Sequence, residues 1–357
     1  MFKPKCLPVL IGSLPLQDHQ EAMQLILSST PDIPLWPQLP KNNKEGMIRQ
    51  FLDGFPCLNE EAEDIWVNSE SPDFTTELAV FYEDYLEAVK EPLLPSQTRF
   101  SLTTETASGF FTLIDILEGR SPPPVTVKGQ ITGPMTTGIG LRDHTGTSIF
   151  YDENLRDILT KLLSLKARWQ VERLRAFATK IPPLLFIDEP GIVSFGSTAY
   201  AGVSLEMVTT AVSEVIAGIK GAGGLAGIHI CANGDWAPAL CSDTDIISFD
   251  AFFYFDNIIL YEEQLTNFLS RGGILAWGIV PTGNPASIGQ ENVDSLYSLW
   301  HKQLNRLCAL GFTDKQLMSQ TLIAPSCGTG SLPLDLAQKV LLLTSQLSMK
   351  IRQTHIL

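Results

Sequence analysis

Positive charge is scarce in this chain: its 357 residues carry 25 Lys and Arg against 39 Asp and Glu, a formal net charge of −14. Recognition of phosphate backbones depends on clustered Lys and Arg, so the deficit excludes a nucleic-acid-binding protein and makes an anionic lipid surface a poor match. Long apolar runs are lacking too. None approaches the roughly 18 to 20 residues needed to cross a bilayer. The opening MFKPKCLPVLIGSLP has only a short apolar stretch, broken by proline and followed by no small-residue cleavage site. The expectation is a cytoplasmic protein with neither nucleic acid nor membrane as partner. Low-complexity tracts and internal repeats are also missing. Cysteines are few: Cys6, Cys57, Cys231, Cys241, Cys308 and Cys327 are spread thinly, unlike the dense framework of a small secreted domain, and are expected to be reduced.

What is present is apolar bulk. Hydrophobic residues make up 44% and charged residues 18%, enough to bury a large core and incompatible with a disordered chain. The length suits one large α/β barrel, so residues 1–357 are expected to form a single domain. Short apolar runs ending in Gly, Pro, Asp or Cys alternate with longer segments of helical spacing, the rhythm of parallel βα units. Eight candidate strands follow: Pro8 to Ile11, Ile33 to Trp36, Val125 to Gly129, Leu184 to Asp188, Gly227 to Cys231, Ile246 to Asp250, Ile274 to Ile279 and Leu322 to Pro325. Helices are expected at Glu153 to Thr179, Ser204 to Ala222, Tyr261 to Ser270, Val293 to Leu310 and Leu334 to Arg352. Eight strands imply a closed (β/α)8 barrel, while periodicity alone leaves an open doubly wound sheet as the alternative. The interval after the second strand, about 41–123, is too long for one crossover and reads as a helical insertion covering one barrel end.

Barrel sites form where strands end, so those ends carry the functional argument. The fifth strand ends GIHIC, and the two-residue spacing turns His229 and Cys231 to the same side of the strand. Imidazole and thiolate are two of zinc's preferred donors. The eighth strand runs into IAPSCGTG, which brings Cys327 to the same barrel end as a third donor. The sixth ends IISFD, where Asp250 offers an oxygen ligand or a group to orient His229. The fourth ends FIDEPG. Adjacent carboxylates alternate across a strand, so Asp188 is expected to face the barrel mouth and Glu189 to stay at the rim. Gly12 and Ser13, ending the first strand, present backbone amides and a hydroxyl suited to a small polar group. His19, His144, His301 and His355 show no partner pattern and read as surface residues; Cys6, Cys57, Cys241 and Cys308 read as structural or surface thiols.

Taken together, IGSLP at 11–15, TGP at 132–134, IDEP at 187–190, HIC at 229–231, IISFD at 246–250 and PSCG at 325–328 resemble the catalytic barrel of cobalamin-independent methionine synthase. That family lies within a group that includes uroporphyrinogen decarboxylase and the corrinoid-dependent zinc methyltransferases. The resemblance spans nearly the whole chain. It implies Zn2+ held by His229, Cys231 and Cys327, with Asp250 in place of a glutamate ligand and one methylene shorter. It further implies that Asp188, Gly12 and Ser13 hold a thiol substrate, with Asp188 as the catalytic carboxylate.

Some positions depart from that family. The stretch WPQLPKNN at 36–43 lacks the carboxylate that engages the amino group of homocysteine. Gly140 and Ser194 fall near the places of a tryptophan and a glutamate that bind folate. No arginine precedes Arg49, whereas the decarboxylases grip their substrate with early arginines. The resemblance thus implies a zinc-dependent thiol S-methyltransferase acting on a homocysteine-like or other small thiol, with a methyl-corrinoid, free or on a partner protein, as donor in place of a folate. A non-catalytic thiol- or corrinoid-binding barrel and a decarboxylase-like lyase are the alternatives.

Overall fold

The computed structural model describes residues 2–61, 64–178, 180–194 and 200–356. Ten strands occur among them: β1 (Leu7–Pro8), β2 (Leu58–Glu61), β3 (Asp64–Val67), β4 (Lys128–Thr132), β5 (Arg142–Asp143), β6 (Leu184–Asp188), β7 (Leu225–Ile230), β8 (Ile246–Phe249), β9 (Ile274–Val280) and β10 (Thr321–Pro325). Seven form one parallel sheet in the order β1-β10-β9-β8-β7-β6-β4. The first strand pairs with the last, Leu7 opposite Leu322, and the others follow in chain order. A doubly wound sheet reverses its strand order near the middle, so that alternative is excluded.

The closed eight-stranded barrel expected from the sequence is not formed as continuous ladders. The regular sheet has seven strands, and the segment expected as strand Ile33 to Trp36 makes only isolated bridges between its two edges, Leu35 to Lys128 on one side and Gln38 to Ser13 on the other. Lys128 donates its backbone N–H to the Pro34 carbonyl at 2.9 Å, and Gln38 donates to Gly12 at 2.9 Å. Pro34 and Pro37 each remove a backbone donor, which is why no regular ladder runs through this stretch. The sheet is nonetheless strongly curled. Leu7, Val9, Ile33, Leu184, Phe186, Ile246 and Leu322, drawn from both ends of the strand order, meet in one buried interior cluster. Alternate residues such as Leu185, Ile187, Ile228 and Ile247 point the other way, into the larger core shared with the helices.

The helices appear close to where the periodicity places them. They span Glu153–Leu174, Leu205–Gly221, Glu262–Ser270, Val293–Cys308 and Leu334–His355, with side-chain N-caps from Asp152, Ser204 and Asn292 on the first, second and fourth. The first was expected to reach Thr179, which lies outside the described residues. The described residues of the interval 41–123 include a helix Phe74–Ala88, tied to the long helix Glu153–Leu174 by the Tyr82 hydroxyl donating to Asp157 at 2.7 Å, and a helix Ser108–Glu118 packed on His19–Ser29. Its β2–β3 hairpin pairs with β5 in a separate small sheet. No helix among the described residues is long and apolar enough to cross a membrane.

Candidate metal centre

Register alone places the first group of site residues. Asp188 on β6 stands opposite His229 on β7, and His229 opposite Ser248 on β8, so three adjacent strands direct side chains to one face at the carboxyl end of the sheet. The His229 Nδ1 lies 2.9 Å from the Ser248 hydroxyl, while its buried Nε2 has no hydrogen-bond partner. A ring fixed through one nitrogen with the other left bare is the arrangement of a metal-binding imidazole. Cys231 follows two residues on, and the ligand atoms of His229, Cys231 and Cys327 all lie within 4.8 Å of one another.

Cys327 arrives on the loop after β10, and two polar anchors hold that loop. On one side Ser326 donates its N–H to the Val280 carbonyl at 2.8 Å and its hydroxyl lies 2.9 Å from that of Thr282. On the other, the Ser13 carbonyl accepts the Thr329 N–H at 2.9 Å and its hydroxyl accepts the Gly330 N–H at 3.3 Å. Ser13 lies so close that a Cβ on Gly328 would sit 2.0 Å from its oxygen, so the turn beyond Cys327 requires glycine for space. Ser13 thus positions a candidate ligand and also lines the cavity beside it. Gly12 is packed behind, where a Cβ would meet Gln38 at 2.5 Å and Gln130 at 2.9 Å.

The two cysteine sulfurs lie close enough to perturb one another. The Cys327 contact, reinforced by His229, holds the Cys231 thiol well below the usual range, and the same contact, with burial, pushes Cys327 up. Burial disfavours a charged His229, but contact with Cys231 outweighs it and the net direction is upward. One sulfur is therefore disposed to be a thiolate and the pair is disposed to attract a cation.

The two neighbouring carboxylates of IDEP turn to opposite sides, but Glu189 is fully buried and not at the rim as expected. Asp188 faces the cavity, buried, with an unpartnered Oδ1 and a carboxyl raised by burial against the opposing pull of His229 and Lys128. Glu189 turns away to the start of the helix Pro134–Gly140, where it accepts the backbone N–H of Met135 at 3.0 Å and of Thr136 at 2.7 Å. A Cβ on Gly133 would lie 2.0 Å from this carboxylate, so the TGP and IDEP motifs are explained by one contact. Burial outweighs these donors and brings the Glu189 carboxyl up to about 7.

Asp250 stands apart from the other proposed ligands. It is not among the three clustered donors, and its carboxylate caps the next helix by accepting the Phe253 N–H at 2.9 Å. Burial brings it up to about 6. The part of orienting His229, expected of Asp250, is taken by Ser248, which was missed although it lies two residues before Asp250 in the IISFD motif.

The cavity over these groups has a volume of about 280 Å³. Pro40, Met47 and Pro190 give it an apolar wall, and Gln38 and Glu45 add polar groups from the stretch after the bridging segment. Glu45 was not anticipated. It is buried, accepts the Leu39 N–H at 3.1 Å and lies 2.7 Å from the His19 Nε2. His19 is therefore a partner of a cavity residue, which corrects its reading as a lone surface histidine. Lys128 was missed as well, although a lysine inside the apolar run VTVKGQIT is a visible signal.

No family model and no curated protein sequence matches the chain. Solved structures do. A B12-independent methionine synthase from Shewanella sp. W3-18-1, in complex with selenomethionine, aligns with a TM-score of 0.58 at 15% identity over 98% of this chain and 99% of that one. A putative vitamin-B12 independent methionine synthase from Listeria monocytogenes aligns with a TM-score of 0.55 at 13% identity over 97% and 98%. The architecture is that of a methionine synthase-like barrel protein, in agreement with the resemblance read from the sequence motifs.

Proposed function

We propose that this chain, built on the methionine synthase-like fold, is a zinc-dependent thiol S-methyltransferase whose ion is held by His229, Cys231 and Cys327. The observation that carries the reading is the convergence of those three donors within 4.8 Å, with the His229 Nε2 buried and unpartnered. Two sulfurs and one imidazole nitrogen suit zinc, and three protein donors leave a position for a substrate. Zinc bound there supplies Lewis acidity that keeps a substrate thiol as thiolate at neutral pH.

The protein's own groups do the rest. Ser248 holds the His229 ring, and Ser13 with Ser326 fixes the Cys327 loop. Asp188 presents its free Oδ1 to a donor group on the thiol substrate, and the wall of Pro40, Met47 and Pro190 limits water around the sulfur. The cavity volume of about 280 Å³ suits a small, homocysteine-like thiol. In the reaction the thiolate sulfur forms a bond to the donor's methyl carbon. With a methyl-corrinoid donor, both electrons of the breaking cobalt–carbon bond stay on the corrinoid, and the thiol proton passes to solvent. Asp250, engaged as a helix cap, acts through its charge near Cys231 and not as a fourth ligand.

Two outcomes are expected. Chelation abolishes thiol methylation while circular dichroism stays that of a folded protein, because the core is held by packing; collapse of the spectrum would make the site structural. Ser248→Ala lowers zinc affinity about tenfold or more in competition with a chromophoric chelator, the range typical of losing a group that orients a ligating histidine. An affinity equal to wild type would remove Ser248 from that part.

A further inference from the structure

One interior charge has no part in the site as described. Lys128 on β4 stands opposite Leu184 on β6, is fully buried, and its Nζ makes no hydrogen bond. The ammonium lies 4.4 Å from the centre of the Phe186 ring. Phe186 is two residues further along β6 than Leu184 and two short of Asp188, so the side chain reaches along the interior toward the site. A buried ammonium without a hydrogen-bond partner costs far more than one aromatic face returns, and a methionine would fill the same space without that cost. Burial brings it down to about 8, with Asp188 pulling the other way. Asp188 is the facing orphan: Lys128 favours its ionised form, and Asp188 in turn favours the charged lysine.

The charge sum of the proposed site shows what such a lysine serves. Zn2+ with two thiolates and a neutral imidazole sums to zero, so a bound substrate thiolate leaves the site with one net negative charge. Among the described residues no arginine or lysine lines the cavity, and the stretch 195–199, FGSTA, contains none. We propose that Lys128 is a positioning residue that acts as the interior counter-ion of the thiolate-loaded site, favouring bound thiolate over bound thiol. The inference rests on the thiol-activation reading above.

The test uses the full chain loaded with cobalt(II) in place of zinc and titrated with 2-mercaptoethanol across neutral pH, following the sulfur-to-cobalt charge-transfer band. Lys128→Met and Lys128→Gln are expected to weaken thiol binding about tenfold and to raise the pH midpoint of binding by about one unit, the equivalent of about 1.4 kcal/mol. Lys128→Arg, which keeps the charge, holds the wild-type midpoint. Affinity for cobalt itself stays the same or increases, since removing a cation relieves repulsion; a structural role would weaken metal and thiol binding together. Wild-type protein showing no band change with thiol would sink the thiol-activation reading itself. A normal wild-type response with unmoved midpoints in both neutral variants overturns only the counter-ion inference, as does joint loss of metal and thiol binding. If the methionine variant does not fold, the glutamine and arginine variants decide.

Discussion

Cys231→Ser and Cys327→Ser are each expected to reduce bound zinc from close to one ion per chain to a small fraction, while Cys241→Ser and Cys308→Ser are expected to leave it unchanged. A serine hydroxyl remains protonated at neutral pH and is a poor zinc ligand, so each of the first two changes removes one donor of three. Protein zinc sites bind with on the order of 10 to 16 kcal/mol, so losing a third of the donors costs on the order of 3 to 5 kcal/mol, a drop of about a hundredfold to several thousandfold. The controls are informative because Cys241 is exposed and Cys308 lies on the helix Val293–Cys308, both outside the clustered donors. Elemental analysis after dialysis against a weak chelator measures the outcome. Full zinc in both site variants would refute the ligand set.

Methyl transfer to a small thiol is expected from methylcobalamin, free or on a carrier protein, and not from methyl-tetrahydrofolate, mono- or polyglutamylated. In the resembling synthases a tryptophan and a glutamate near Gly140 and Ser194 bind the folate. Gly140 closes the helix Pro134–Gly140, and even a Cβ there would lie 2.1 Å from Ile48, so an aromatic ring has no room without moving that side chain. Loss of one stacking contact and one set of hydrogen bonds weakens folate binding by roughly tenfold to a hundredfold. A corrinoid needs only to bring its methyl group to the cavity mouth. The assay follows cobalamin absorbance during demethylation, with zinc-stripped protein as control. Turnover with the folate and none with the corrinoid would reverse the donor assignment.

Much of this site was legible because strand-end chemistry is local. His229 and Cys231 share a face through period-two alternation, which needs no knowledge of the fold, and Asp188 separates from Glu189 by the same rule. Cys327 required one further step, the assumption that all strand ends meet on one rim. What stayed hidden depended on contacts between distant segments. Ser248 orients His229 only because β7 and β8 are in register, and Glu45 reaches the cavity only because the residues after the bridging segment fold back over it. Asp250 shows the converse: its residue type fits a ligand, but the helix starting at Ala251 draws its carboxylate into a cap. The second expected strand, Ile33 to Trp36, failed as a regular element for a reason visible in the sequence, since Pro34 and Pro37 leave too few donors for a ladder.

The central claim is that His229, Cys231 and Cys327 hold a zinc ion with room for a substrate sulfur, and zinc-edge X-ray absorption tests it most directly. The metal-loaded protein is expected to show two sulfurs at about 2.3 Å and one imidazole nitrogen at about 2.0 Å, with a third sulfur added when 2-mercaptoethanol is present. Coordination by oxygen and nitrogen alone, or a sulfur count that does not change with thiol, would contradict it.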